Sequence, residues 1–324
     1  LVGSEMCIRD RVRPCMLWND TRSYEEAQRL DSLPKVRDIS GNIVFPGFTA
    51  PKLLWVKNNE PDIFQKIKTV VLPASYLNTW LIGAPFADMS DSAGTSWLDL
   101  KLRKWSKHLI VSSDMQIEQM PKLVEGNQIA GQIRTDLASE LGLPNDVMIV
   151  GGAGDNAAAA CGVGAINEGE GLISLGTSGV LLISRDQCKP FPDAAVHTFC
   201  HAIPEKWYQM GVILSATDSL NWLSKISGKK ASELDHLLPN EPTGPASEKF
   251  FPYLSGERTP LNDAHIRAGF SGLGQTSNLA KLTQCVMEGV SFALRDCLEA
   301  VSYTHLRAHE TRGNLVFRGG GEKK

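Results

Sequence analysis

The apolar positions of this chain keep two rhythms. Over residues 47–61, GFTAPKLLWVKNNEP, they recur at helical spacing, with Thr49 placed to cap the helix, Pro51 in its first turn and Pro61 to stop it. Residues 62–68 predict a short helical continuation, and 69–73 a buried strand. Helices follow at 75–83 and 135–142, each closed by a glycine suited to the left-handed C-terminal position. The run 146–150, DVMIV, is continuously apolar, as a strand buried in a parallel sheet would be. From Asp155 an alanine-rich run predicts a helix, with Asp155 as its cap. Beyond 170, two apolar runs flank Gly176-Thr177-Ser178-Gly179, a β-hairpin signature. A strand at 207–214, a helix at 218–227, a Pro/Gly-rich loop at 240–248 and a long amphipathic helix at 279–301 complete the pattern.

Helices and strands interleaved in this way predict an α/β protein, divided near 165–170 at the NEGEG punctuation. Two domains are expected, 13–166 and 167–301. The flanks 1–12 and 302–324 lack apolar periodicity and read as translated sequencing-adapter strings, so no ligand is assigned to the glycine triplet at 319–321.

Composition acts mainly by exclusion. Lys plus Arg number 33 against 36 Asp plus Glu, a formal charge of −3, so no basic field gathers nucleic acid. No apolar run approaches a membrane span, and the N-terminus lacks the apolar core of a signal peptide. The 7 cysteines are odd in number, scattered and without a CxxC pair, which suits reduced thiols in a cytoplasmic protein.

The glycine-rich stretch 151–158, GGAGDNAA, fits G-x-G-x-x-A between a strand and a helix, the outline of a dinucleotide-binding loop. Two features oppose that assignment. The following strands form a tight antiparallel hairpin, and Asp155 would repel a pyrophosphate inside the cradle. The hairpin turn itself offers backbone N–H groups and two hydroxyls at a sharp bend, a candidate phosphate clamp when paired with the acid-bearing loop upstream. His197, Cys200 and His201 have zinc-like spacing but no fourth ligand, and read as structural. In FPYLSGERTP, residues 251–260, Glu257 and Arg258 are expected to pair with each other or with neighbours inside a rigid loop.

Taken in order, MLWNDTR, GFTAPKLLWVKNNEP, DMSDSAGTSWLDL, GGAGDNAA, LISLGTSGV, AVHTFCHAIP and FPYLSGERTP resemble the FGGY family of carbohydrate kinases, and within it the xylulokinase branch. The first family signature is matched from Gly47 to Asn59, including Lys52 and Trp55; the second, at 268–288, is matched in part, with Lys281 and Cys285 departing from it. The resemblance implies an actin-like ATPase (ribonuclease H-like) fold, with two α/β domains and a cleft for sugar and nucleotide. It implies ATP-dependent phosphorylation of D-xylulose to D-xylulose 5-phosphate with Mg2+. Asp155 then falls on the catalytic base, Asn156 on a sugar contact, and Gly176, Thr177 and Ser178 on a phosphate-binding turn. A homodimer is an expected assembly. Kinases for ribulose, fuculose or gluconate, and a non-catalytic remnant that binds sugar and nucleotide, are the alternatives. A D-x-G-T-S turn is absent before Arg13, a Met-His sugar-binding pair is absent before LWND, and the expected nucleotide lobe stops near 301. The chain is therefore expected to be the middle of a kinase gene, inactive as it stands.

Overall fold

A computed structural model describes residues 11–239 and 244–303; all but the inner two residues of each flanking string, the glycine triplet and the start of the 240–248 loop lie outside these residues. The first unit gathers helices Tyr24–Asp31, Thr49–Asn59 and Lys107–Ser112 around Leu53, Leu54, Leu109, Ile110 and Trp97, all at most 2% exposed. Thr49 is the first helical residue and not the cap: Phe48 occupies that position and supplies no side-chain oxygen. Residues 69–72 run extended without joining a strand, tied through Val70 N–H to the Gln119 carbonyl. The glycine terminators behave as expected, with Gly83 at φ 82° and Gly142 at φ 66°.

Strand Phe86–Asp88 pairs in parallel with Lys122–Val124. Strand Met148–Val150 pairs antiparallel with Ile129–Gln132, and Met148 and Val150 are 53% and 47% exposed. The apolar run at 146–150 is thus neither parallel nor buried. Its two side chains outside the middle lie on the solvent side of a two-stranded ribbon, and apolar content alone does not reveal which neighbour a strand finds.

The second unit is a four-stranded antiparallel sheet in the order Gly171–Leu175, Gly179–Arg185, Trp207–Ile213, His197–Cys200. Its side chains alternate between two cores. Leu182, Tyr208 and Met210 face the helix Asp155–Val163, meeting Ala157 and Ala160. Leu181, Ile183 and Ile213 face the long helix Leu279–Tyr303, meeting Ala293, Cys297 and Val301. A sheet covered on both faces needs apolar residues at successive positions, which explains the unbroken run at 180–183. Gly211 permits the close approach of the long helix: a Cβ there would lie 2.7 Å from the Cys297 Cβ.

The two units are fastened to each other. Asn42 Nδ2 donates to the Thr198 carbonyl at 2.8 Å, and Thr198 N–H donates back to Asn42 Oδ1 at 2.9 Å, both groups buried. Phe45 and Phe48 pack on the His197 ring at centroid distances of 5.2 and 5.9 Å. Among the described residues, no helix is long and apolar enough to cross a membrane.

Candidate functional site

The glycine-rich stretch is shaped by crowding. A Cβ on Gly151 would lie 2.4 Å from the Glu125 carbonyl oxygen, and Gly152 sits at φ +77°. Only glycine relieves both constraints at once. The chain then turns into helix Asp155–Val163 with Gly154 as its N-cap. Asp155 is therefore the first helical residue and not the cap. Its Oδ1 accepts the Asn156 backbone N–H at 2.7 Å and the Asn156 Nδ2 at 3.1 Å. Its Oδ2 accepts nothing from the described residues, and the side chain is exposed. Asn156 thus orients the carboxylate and leaves one oxygen open.

Ala157 and Ala160 carry this helix onto the sheet with no exposed surface. The same sheet bears the hairpin turn at Gly176, Thr177 and Ser178. The turn's acceptors are used locally: Ala216 N–H donates to Thr177 O at 2.8 Å, and Thr217 N–H to Gly176 O at 3.0 Å. These carbonyls complete the start of helix Thr217–Ser227. The N–H groups and hydroxyls of Thr177 and Ser178 donate to no described residue. Such a turn is a set of donors with its acceptors occupied, the polarity that suits an anion.

Lys52 and Trp55 lie away from this chemistry. The Lys52 ammonium is buried and donates to the carbonyls of Gly47 and Leu17, at 2.7 and 2.8 Å. It pins the 16–18 segment beside the helix. Burial lowers its pKa. Trp55 packs under the Arg22 guanidinium, 5.0 Å from the ring centroid.

His197 and Cys200 lie on a buried strand, as structural residues should. Burial, with the charge of Arg258 second, pushes His197 down to about 3, and burial pushes the Cys200 thiol up to about 12. Both are neutral at pH 7. All six described cysteines are free. The side chains of Glu257 and Arg258 form no salt bridge with each other and pair with neighbours instead. Glu257 Oε1 accepts the Leu214 and Arg258 backbone N–H groups at 3.0 and 2.8 Å, while the Arg258 guanidinium lies over the Phe45 ring, 4.7 Å from its centroid.

A second acidic segment borders the glycine-rich loop that leads into Asp155, and sequence reading gave it no role. Asp88 caps the helix Met89–Ala93, its Oδ1 accepting Asp91 N–H at 2.9 Å. Ser90 Oγ donates to the same Oδ1 at 2.6 Å and accepts Gly154 N–H at 2.9 Å. Burial first, then the charges of Asp88 and Asp155, raise Asp91 to about 7. The local D-x-S-D spacing signals a capped turn, but the partner it reaches is visible only in three dimensions. No group of three or more His, Cys, Asp or Glu among the described residues could hold a metal.

Residues 8–162 match the N-terminal domain of the FGGY family of carbohydrate kinases, and residues 171–323 its C-terminal domain. The chain belongs to this family. It is 42% identical to the xylulose kinase of Escherichia coli (strain K12) over 316 residues, 96% of this chain and 64% of that protein. The xylulose kinase of Klebsiella pneumoniae is also 42% identical, over 97% of this chain and 64% of its own length. A crystal structure described as a xyloylose kinase from Brucella ovis superposes with a TM-score of 0.89 at 55% identity, covering 90% of this chain and 60% of that one. The chain thus spans just under two thirds of the length of the relatives it matches. Its fold is the actin-like ATPase α/β fold of these sugar kinases.

Proposed function

We propose that the protein transfers the γ-phosphoryl group of ATP to a terminal hydroxyl of a ketose, D-xylulose before others. The open Oδ2 of Asp155 carries this reading, because it stands on a helix docked to the same sheet as a donor-only turn. As the sugar oxygen forms its bond to phosphorus, the bond from phosphorus to ADP breaks, and the hydroxyl proton passes to Asp155. Asn156 fixes the carboxylate and lies within reach of the sugar. Thr177 and Ser178 hold phosphate through their backbone N–H groups and hydroxyls, while the Gly176 N–H, donated to the Ser178 carbonyl at 3.0 Å, closes the turn that presents them. The xylulose kinase relatives support the choice of sugar.

In the full-length protein, Asp155→Asn lowers turnover by roughly 10²–10⁴-fold, the usual contribution of one general base. Full activity in the purified variant sinks the assignment. A coupled ADP-release assay across xylulose, ribulose, fuculose and gluconate reads the substrate directly. Calorimetric binding of sugar and nucleotide with no turnover on any of them would instead favour a binding remnant.

A further inference from the structure

The base has a neighbour that holds its backbone. Gly154 precedes Asp155 and caps its helix, so the direction of the Gly154 peptide sets where the carboxylate starts. That N–H is not left to solvent. It is received by Ser90 Oγ at 2.9 Å, and the Ser90 hydroxyl spends its proton on Asp88 Oδ1 at 2.6 Å. The arrangement fixes the hydroxyl's polarity. With its hydrogen committed to a carboxylate, the oxygen can only accept, and Gly154 N–H is the donor presented to it. A hydrogen bond to an ionised acceptor also strengthens the next one in the chain.

The anchor is rigid. Ser90 and Asp88 are each 3% exposed, and Asp88 Oδ1 also receives Asp91 N–H at 2.9 Å, locking the turn that carries Ser90. From the same turn the Asp91 side chain lies against Gly154. A Cβ on Gly154 would sit 3.5 Å from Asp91 Oδ1, ordinary contact, so the loop is both held by a hydrogen bond and backed by a side chain.

We propose that Ser90, oriented by Asp88, is a positioning residue for the catalytic base: it fixes the Gly154 peptide and thereby the place of Asp155 at the start of its helix. This inference rests on Asp155 being the base. Removing the hydroxyl frees the peptide to rotate and shifts the carboxylate without altering its chemistry, and small displacements of a reacting group cost much of its effectiveness.

The test uses the full-length enzyme, with kcat referred to folded protein. Ser90→Ala is expected to lower kcat by roughly tenfold to a hundredfold, with the sugar KM changed far less. Ser90→Thr retains the hydroxyl and restores most of kcat. Ser90→Cys keeps the volume but accepts weakly, and falls between; it carries the comparison if Ser90→Ala does not fold. A kcat for Ser90→Ala or Ser90→Cys within twofold of wild type overturns the proposal, as does a Ser90→Thr variant no better than Ser90→Ala. Asp155→Asn, run alongside, separates the two ideas. If it remains fully active, the base assignment fails; if it is dead while the Ser90 variants are normal, only the positioning role fails.

Discussion

Single side chains here divide into those that face chemistry and those that hold the chain. Asp155 drew notice in the sequence as an acid among residues too small to shield it, and it is exposed with one oxygen open, although its position as first helical residue was not legible. The role of Lys52 was not legible, because two of its three carbonyl partners, Met16 and Leu17, lie some 35 residues away, a proximity no local pattern encodes. His197 shows how a residue without a catalytic role still shapes behaviour. Free imidazole titrates near 6.5, and burial among Phe45, Phe48 and Phe199 takes it to about 3. Between these values the unfolded chain binds the extra proton, so stability rises with pH across the window and is lost as pH falls below about 6.5. At pH 5 the loss due to His197 is roughly 2 kcal/mol relative to pH 7. Asp91, raised to about 7, acts in the opposite sense over the same window, so the His197 share is read as the difference between the protein and His197→Phe in the change of urea midpoint from pH 7 to pH 5; equal changes in the two refute the assignment.

Helices and strands were read most surely where one local signal sufficed. Gly83 and Gly142 end their helices, and the Gly-Thr-Ser-Gly turn makes its hairpin, because a left-handed residue or a tight bend leaves few alternatives. Strand partners were misread where they depend on distant chain, as for Met148–Val150. The helix Asp155–Val163 is the element on which the site depends most directly. Its Ala157 has no exposed surface and sits in one cluster with Leu182 and Tyr208, so the helix lies close to the sheet because alanine occupies the contact. Ala157→Leu forces extra methylene groups into that seam, at a cost of about 1–3 kcal/mol, and lifts the start of the helix. Turnover should fall more than thermal stability alone accounts for. A variant with normal kcat and a normal unfolding midpoint contradicts this packing.

The molecule as a whole is joined by a few buried polar contacts between residues far apart in sequence. Asn42 and Thr198 exchange hydrogen bonds at 0–1% exposure, so truncating Asn42 leaves the Thr198 N–H and carbonyl without partners. Asn42→Ala should cost about 1–3 kcal/mol in chemical denaturation, with little change expected from an exposed asparagine such as Asn145 treated in the same way. A cost below that of the control would mean that water replaces the lost amide. Neither residue stood out in the sequence, since a pairing across more than a hundred positions has no local trace. The same pair bears on what counts as a moving part. The edge strand His197–Cys200 comes after the sequence division near 167, yet it is clasped by residues 42–48 through hydrogen bonds and stacked rings. The strand is at the same time hydrogen-bonded along Trp207–Met210 of the second unit's sheet, so it is shared property: a rotation of one unit against the other would have to break either the clasp or the edge of the sheet, and the strand works as a rivet between the two.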